Sequence, residues 1–127
     1  MTEQQGGIPL LPHDDSVIAV VRQSGRSDAK DFLEKLEKRD QARFLRYIQY
    51  LAAGRPLKSP EHFRRLSAAG AEPPVYELKS NKYRLYVVRT SRRWYITHGR
   101  EKPKNNQVPR EVAKALAIFW DRKGNSP

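Results

Sequence analysis

VYELKSNKYRLYVVRTSRRWYITHGREKPK, residues 75–104, alternates apolar and polar side chains through three successive segments. Side chains on a strand point to opposite faces in turn, so this pattern predicts strands over Val75–Lys79, Lys82–Thr90 and Trp94–His98. Ser80-Asn81 and Ser91-Arg92-Arg93 are the expected turns. Alternation puts Tyr83, Leu85 and Val87 on one face and Arg84, Tyr86 and Val88 on the other. The stretch also carries nine lysines and arginines against two acids, Glu77 and Glu101. Single basic residues on strands are explained by solubility and edge protection. A field of one sign over a whole sheet goes further, because it attracts polyanions.

The rest of the composition narrows the class. At 127 residues the chain makes one domain, and its net charge of +11 points to RNA, DNA, an acidic protein or an anionic membrane surface as partner. Cysteine is absent, which removes disulfides, thiolate nucleophiles and cysteine zinc sites. His13, His62 and His98 lack paired-ligand spacing, and neither a Gly-rich phosphate loop nor a Gly-x-Ser-x-Gly elbow occurs. No metal or cofactor is expected, so any chemistry falls to Arg, Lys, His, Glu and Tyr. MTEQQGG does not open like an export signal, no run is long enough to span a bilayer, and a cytoplasmic location is the expectation.

Upstream of the basic stretch, residues 1–16 mix glycine, proline and charge around Ile8, Leu10 and Leu11 and read as a flexible tail. Docking of Leu10 and Leu11 on the domain stays open. Val17–Arg22 is β-branched and reads as a first strand. From Asp28 the period becomes helical, with Phe32, Leu33 and Leu36 in one stripe and Phe44, Leu45, Ile48 and Leu51 in another. Ser27 or Asp28 is the expected N-cap, Lys38-Arg39-Asp40 the break between two helices, and Gly54 with Pro56 the stop. Arg43, Arg46, Tyr47 and Tyr50 flank the second helix and read as a solvated face. The proline-rich segment 56–74 is a connector with one helical turn over Glu61–Leu66. Downstream, Gly99 ends the last strand, residues 100–107 form a flexible basic loop, and a helix starts at Pro109 with Val112, Leu116 and Phe119 as its stripe. Gly124 closes it.

These elements define an α+β domain over residues 17–123, with 1–16 and 124–127 as tails. About four strands make a small, mainly antiparallel twisted sheet, with the helices packed on one face.

Several motifs in this order resemble the RelE/ParE superfamily of bacterial toxins, in particular its HigB-like, phage-derived branch. Gly25-Arg26-Ser27 leading into Asp31-Phe32-Leu33 is similar to that family's entry into its first helix. Tyr76-Glu77-Leu78-Lys79 is similar to its aromatic-Glu-Leu-Arg strand, and Tyr83-Arg84-Leu85 to its Tyr-Arg-aliphatic strand. Ile96-Thr97-His98-Gly99, with Lys102, Lys104 and the helix from Pro109 through Glu111 to Ala115, resembles its aliphatic-His-basic-loop-helix ending. Two departures stand out: Lys79 occupies the place of an arginine, losing the bidentate fork, and Val108 the place of a Ser or Thr cap.

The resemblance implies a toxin that cleaves messenger RNA on the ribosome and is neutralised by an antitoxin, a helix-turn-helix protein encoded beside it. Metal-independent cleavage through the 2'-hydroxyl needs a base, an acid and cations facing the developing phosphorane. Arg84 is the expected phosphate grip, aided by Lys79 and by Arg100, Lys102 and Lys104. His98 and Glu101 are candidates for proton transfer, as is a lysine whose pKa is lowered by neighbouring cations. Lys82, Arg92, Arg93 and Tyr95 are candidate RNA contacts, Tyr95 by stacking. Strict alternation puts His98 on the face of Trp94 and Ile96, where it reads first as a core histidine with a satisfied hydrogen bond and second as a catalytic one. Two other functions fit the same residues: a ParE-like toxin acting on DNA gyrase without cutting RNA, and a non-enzymatic basic nucleic-acid-binding protein.

Overall fold

The helices begin and end where local chemistry dictates. The computed structural model describes residues 6–125. Ser27 caps α1 (Asp28–Lys35), its hydroxyl accepting the Lys30 N–H at 3.3 Å. The break before α2 (Lys38–Ala53) falls at Leu36 and Glu37, which are extended, and Lys38-Arg39-Asp40 forms the first turn of α2 instead. Gly54 adopts φ 69° and returns its N–H to the Leu51 and Tyr50 carbonyls, the left-handed stop that glycine permits.

Among the described residues the sheet has six strands, two more than expected. β1 (Gly7–Leu11), β2 (Asp14–Val20), β3 (Phe63–Arg65), β4 (Val75–Ser80), β5 (Tyr83–Arg89) and β6 (Trp94–Glu101) lie in the order β1-β2-β6-β5-β4-β3. Only β2 and β6 run parallel; the other pairs are antiparallel. Residues 7–16 are therefore not a free tail. Gly7 sits so close to β2 that a Cβ there would meet the Ala19 carbonyl oxygen at 2.1 Å, and Leu10 and Leu11 pack against the core. Residues 1–5 of the expected tail lie outside the described residues. The helical turn expected over Glu61–Leu66 is strand β3, because its backbone pairs with Tyr76–Leu78.

Both faces of the sheet are covered. Phe44, Ile48 and Leu51 of α2, with Ala29 of α1, pack against Val17, Leu78, Leu85, Val87 and Ile96. Ala115, Ile118 and Phe119 of α3 (Val108–Trp120) cover Ile18, Val20, Val75, Tyr86, Val88 and Tyr95 on the other side. This corrects the one-sided expectation, and the continuous burial of Arg84–Val88 in β5 is its signature. A 3-10 turn (Asn105–Gln107) leads into α3, which ends at Trp120, before Gly124.

Two local features of β6 matter for the site. Tyr86 pairs with His98 but Val87 pairs with Ile96, so Thr97 is an extra residue, a β-bulge. The bulge turns His98 to the face opposite Ile96, against the strict-alternation reading. Gly99 does not end the strand. It faces α1, where an added Cβ would lie 2.2 Å from the Phe32 ring. Gly99→Ala is therefore expected to displace that ring and lower stability by about 1–3 kcal/mol, read as a shift of the urea midpoint. An unshifted midpoint would show that the ring moves freely.

Candidate functional site: a carboxylate-backed cationic row

The turn between β4 and β5 sets the first member of the site. Ser80 pairs with Tyr83, so the turn residues are Asn81 and Lys82, one position later than alternation suggested. Asn81 takes φ 53°, a left-handed conformation that asparagine tolerates. Asp40, buried at the start of α2, accepts the Ser80 hydroxyl at 2.8 Å and the Asn81 amide at 3.0 Å. The turn so held presents the Asn81 carbonyl to Arg84 Nη1 at 2.9 Å, and the Tyr83 carbonyl accepts from the same nitrogen at 2.8 Å.

Register then lines up the cations. Lys79 on β4 stands directly opposite Arg84 on β5, and Arg84 directly opposite Arg100 on β6. Like charges facing across strands repel. Two buried carboxylates offset that repulsion. Glu77, 3% exposed, lies 3.9 Å from Arg84 Nε, 3.8 Å from Lys79 Nζ and 2.9 Å from Arg64 Nη2 on β3. Glu111, 4% exposed in the first turn of α3, accepts from Arg100 Nη1 at 2.8 Å and meets His98 Nε2 at 2.9 Å. The acids fix the cations in place without neutralising the row.

Lys79 is the member with the altered acidity. Partial burial pushes its ammonium below the ordinary value, Glu77 opposes this, and the neighbouring charges of Arg64, Arg84 and Lys102 reinforce it. Lys102 is exposed, follows β6, and gives its N–H to the Lys82 carbonyl at 2.7 Å. Lys104 is exposed just before the 3-10 turn. Arg100 belongs to β6, not to a flexible loop.

His98 is engaged on both sides of its ring. Nδ1 lies 3.1 Å from the Thr97 hydroxyl, Nε2 meets Glu111, and the ring stacks on Tyr86 at 4.6 Å. In this arrangement it braces α3 against the sheet and has no nitrogen free for a substrate. Burial lowers its pKa below the ordinary 6.5, with the Glu111 hydrogen bond opposing. Burial pushes the Glu111 carboxyl up, but hydrogen bonds from His98 and Arg100 outweigh it and leave the group below its ordinary 4.5.

The sign of the linkage follows. Above pH 6.5 His98 is neutral in both folded and unfolded chains. As pH falls, the unfolded chain takes the proton first, so stability declines from there towards the folded value; Glu111 adds a second loss as it protonates below the ordinary carboxylate range. The thermal midpoint is expected to fall from about pH 6.5 downward, and His98→Gln to lack this first step. A midpoint flat down to about pH 5 would contradict the assignment.

The remaining candidates lie elsewhere. Glu101 pairs with Tyr83, which packs edge-on against Phe32, so it faces the α1 side; it is 67% exposed and 4.0 Å from Lys82. Arg92 is exposed in the β5–β6 turn, and Arg93 is bound to Asp15 at 2.9 Å. The end of β5 before that turn, Arg89, is five positions beyond Arg84, roughly 17 Å at ~3.4 Å per residue. Tyr95 is 6% exposed and packs against Phe119 at 5.1 Å, so burial withholds it from stacking on a base. Arg64, Glu77, Tyr86 and Glu111 join the site through packing and register, beyond the residues that the sequence pattern marks. Glu111 carried a readable signal, a charge in the stripe Glu111, Ala115, Ile118 at i, i+4, i+7.

Together these features define a small α+β domain that presents a braced cationic row at one end of its central strands. The chain belongs to the family of phage-derived Gp49-like proteins (DUF891), whose profile matches residues 31–119. That family is RelE-like and is associated with the toxins of toxin–antitoxin systems. The match spans α1 to the last turn of α3 and so includes the whole cationic row. No individually curated protein matches the chain. Among the described residues no helix is long and apolar enough to cross a membrane.

Proposed function

We propose that this chain is a HigB-like toxin that cuts messenger RNA on the ribosome, without a metal, by attack of the neighbouring 2'-hydroxyl. The observation that carries the reading is the row Lys79, Arg84 and Arg100 in register on three adjacent strands above buried Glu77 and Glu111. Arg84 and Arg100 grip the scissile phosphate, and their charge is worth most in the transition state, where the phosphorane gains negative charge. Because both are already oriented by protein partners, little reorganisation accompanies the reaction. Lys79 is the group in this row suited to proton transfer, and Lys102 and Lys104 draw the strand in. His98 and Glu111 act as positioning residues behind Arg100. A cognate antitoxin, encoded alongside, covers this surface and blocks it.

Induced expression tests this. Growth arrest with new messenger RNA ends at codon-defined positions supports the reading. DNA damage induction without new RNA ends would replace it with gyrase inhibition, and RNA binding that leaves the message whole would make the chain a non-enzymatic binder.

A further inference from the structure

The connection from α2 to β3 folds back on the helix. His62 stacks on Tyr47 at 5.4 Å, and the N–H groups of His62 and Phe63 both reach the Lys58 carbonyl, at 2.8 and 3.1 Å. Between helix and connector lies a cleft of about 480 Å³, lined by Arg43, Arg46, Tyr47, Tyr50, Lys58 and His62 among others. No carboxylate lines it. Among the described residues none of Arg43, Arg46 and Lys58 forms an ion pair.

A solvated helix face spreads its cations over a convex surface and mixes in acids. Here three cations converge on a concave wall beside aromatic rings, which raises the local potential and favours an anion. Cations for phosphate and rings for bases are the combination that binds single-stranded nucleic acid. The cleft lies on the α2 side of the sheet and the cationic row on the α3 side, with the β3 edge between them. The His62 carbonyl accepts the Lys79 N–H at 2.9 Å, and Arg64, two residues on, pairs with Glu77.

We propose that this cleft is a second, non-catalytic subsite for single-stranded RNA, in which Arg43, Arg46 and Lys58 hold a phosphate and the half-buried ring of His62 takes a base beside Tyr50, whose ring already lies under the Arg55 guanidinium at 4.5 Å. A strand held at Lys79 and Arg84 crosses the β3 edge at Arg64 and enters it. The path rests on the proposed function; the affinity of the cleft does not.

The test is binding of a 2'-O-methyl hexanucleotide, which cannot be cut, to the full chain, with anisotropy followed from about 50 to 200 mM salt. The double variant Arg43→Ala/Arg46→Ala changes two exposed side chains. It is expected to bind at least about tenfold more weakly and to lose roughly 0.7 units of salt slope, the share of one phosphate contact on a single strand. Unchanged affinity and slope would overturn the subsite, even if the wild-type chain cuts RNA. Loss of binding in the double variant of a chain that cuts no RNA would keep the subsite and discard the nuclease. Binding of hexaglutamate as tight as that of the oligonucleotide would also overturn it, since the cleft would then recognise acidic peptide by charge alone.

Discussion

Arg84→Ala is expected to lower cleavage of ribosome-bound messenger RNA by about 10²–10³-fold, the scale set by removing one preorganised donor from a developing oxyanion. The residue is 9% exposed, and its side chain is already ordered by two backbone carbonyls and Glu77. Its loss leaves Glu77 with Arg64 and Lys79 as partners, so the fold survives. Arg84→Lys keeps the charge but not the fork, and an intermediate rate is expected. Single-turnover cleavage beside a circular dichroism spectrum separates lost chemistry from lost structure. A fall of less than about tenfold would show that the phosphate is held elsewhere.

The largest effect on stability is expected at Glu111. Glu111→Ala leaves the buried, neutral His98 ring N–H without its acceptor and removes the partner of the part-exposed Arg100, together a cost of about 2–4 kcal/mol. Against a typical total of about 5–15 kcal/mol, that is a large fraction. Glu111→Gln preserves the shape and part of the hydrogen bonding, and recovers part of the loss. Urea unfolding measures both. A loss below about 1 kcal/mol for the alanine variant would mean that His98 and Arg100 find other partners and that α3 is not braced there.

Much of this arrangement is legible in the sequence, and the exceptions have physical causes. The β4–β5–β6 meander follows from alternation, and the facing of Arg84, Tyr86 and Val88 holds. The helical hairpin follows from Ser27 and Gly54, whose cap roles are local. β1 and β3 are edge strands of five and three residues. β1 contains Gly7 and Pro9, which an edge accommodates but which read as a tail. At Thr97 the bulge adds one residue to β6, and a period-two count cannot see an extra residue. For that reason His98 was expected beside Ile96 and stands beside Tyr86 instead.

The site divides in the same way. Lys79 and Arg84 could be named from strand pattern and resemblance together. Their pairing with Arg100 needs the register of β6, and the carboxylates beneath need the packing of α3 and β3. Glu101, the acid next to Arg100 in sequence, points to the other face because adjacent residues of a regular strand do.

The central claim is that the row cuts RNA through the 2'-hydroxyl, and the ends of the product test it most directly. Messenger RNA on translating ribosomes is incubated with purified wild-type or Arg84→Ala protein, and the new termini are mapped and characterised. The account predicts 5'-hydroxyl ends opposite 2',3'-cyclic or 3'-phosphates with the wild-type chain, and almost none with the variant. Intact message, or 5'-phosphate ends, or equal cutting by Arg84→Ala, would contradict it.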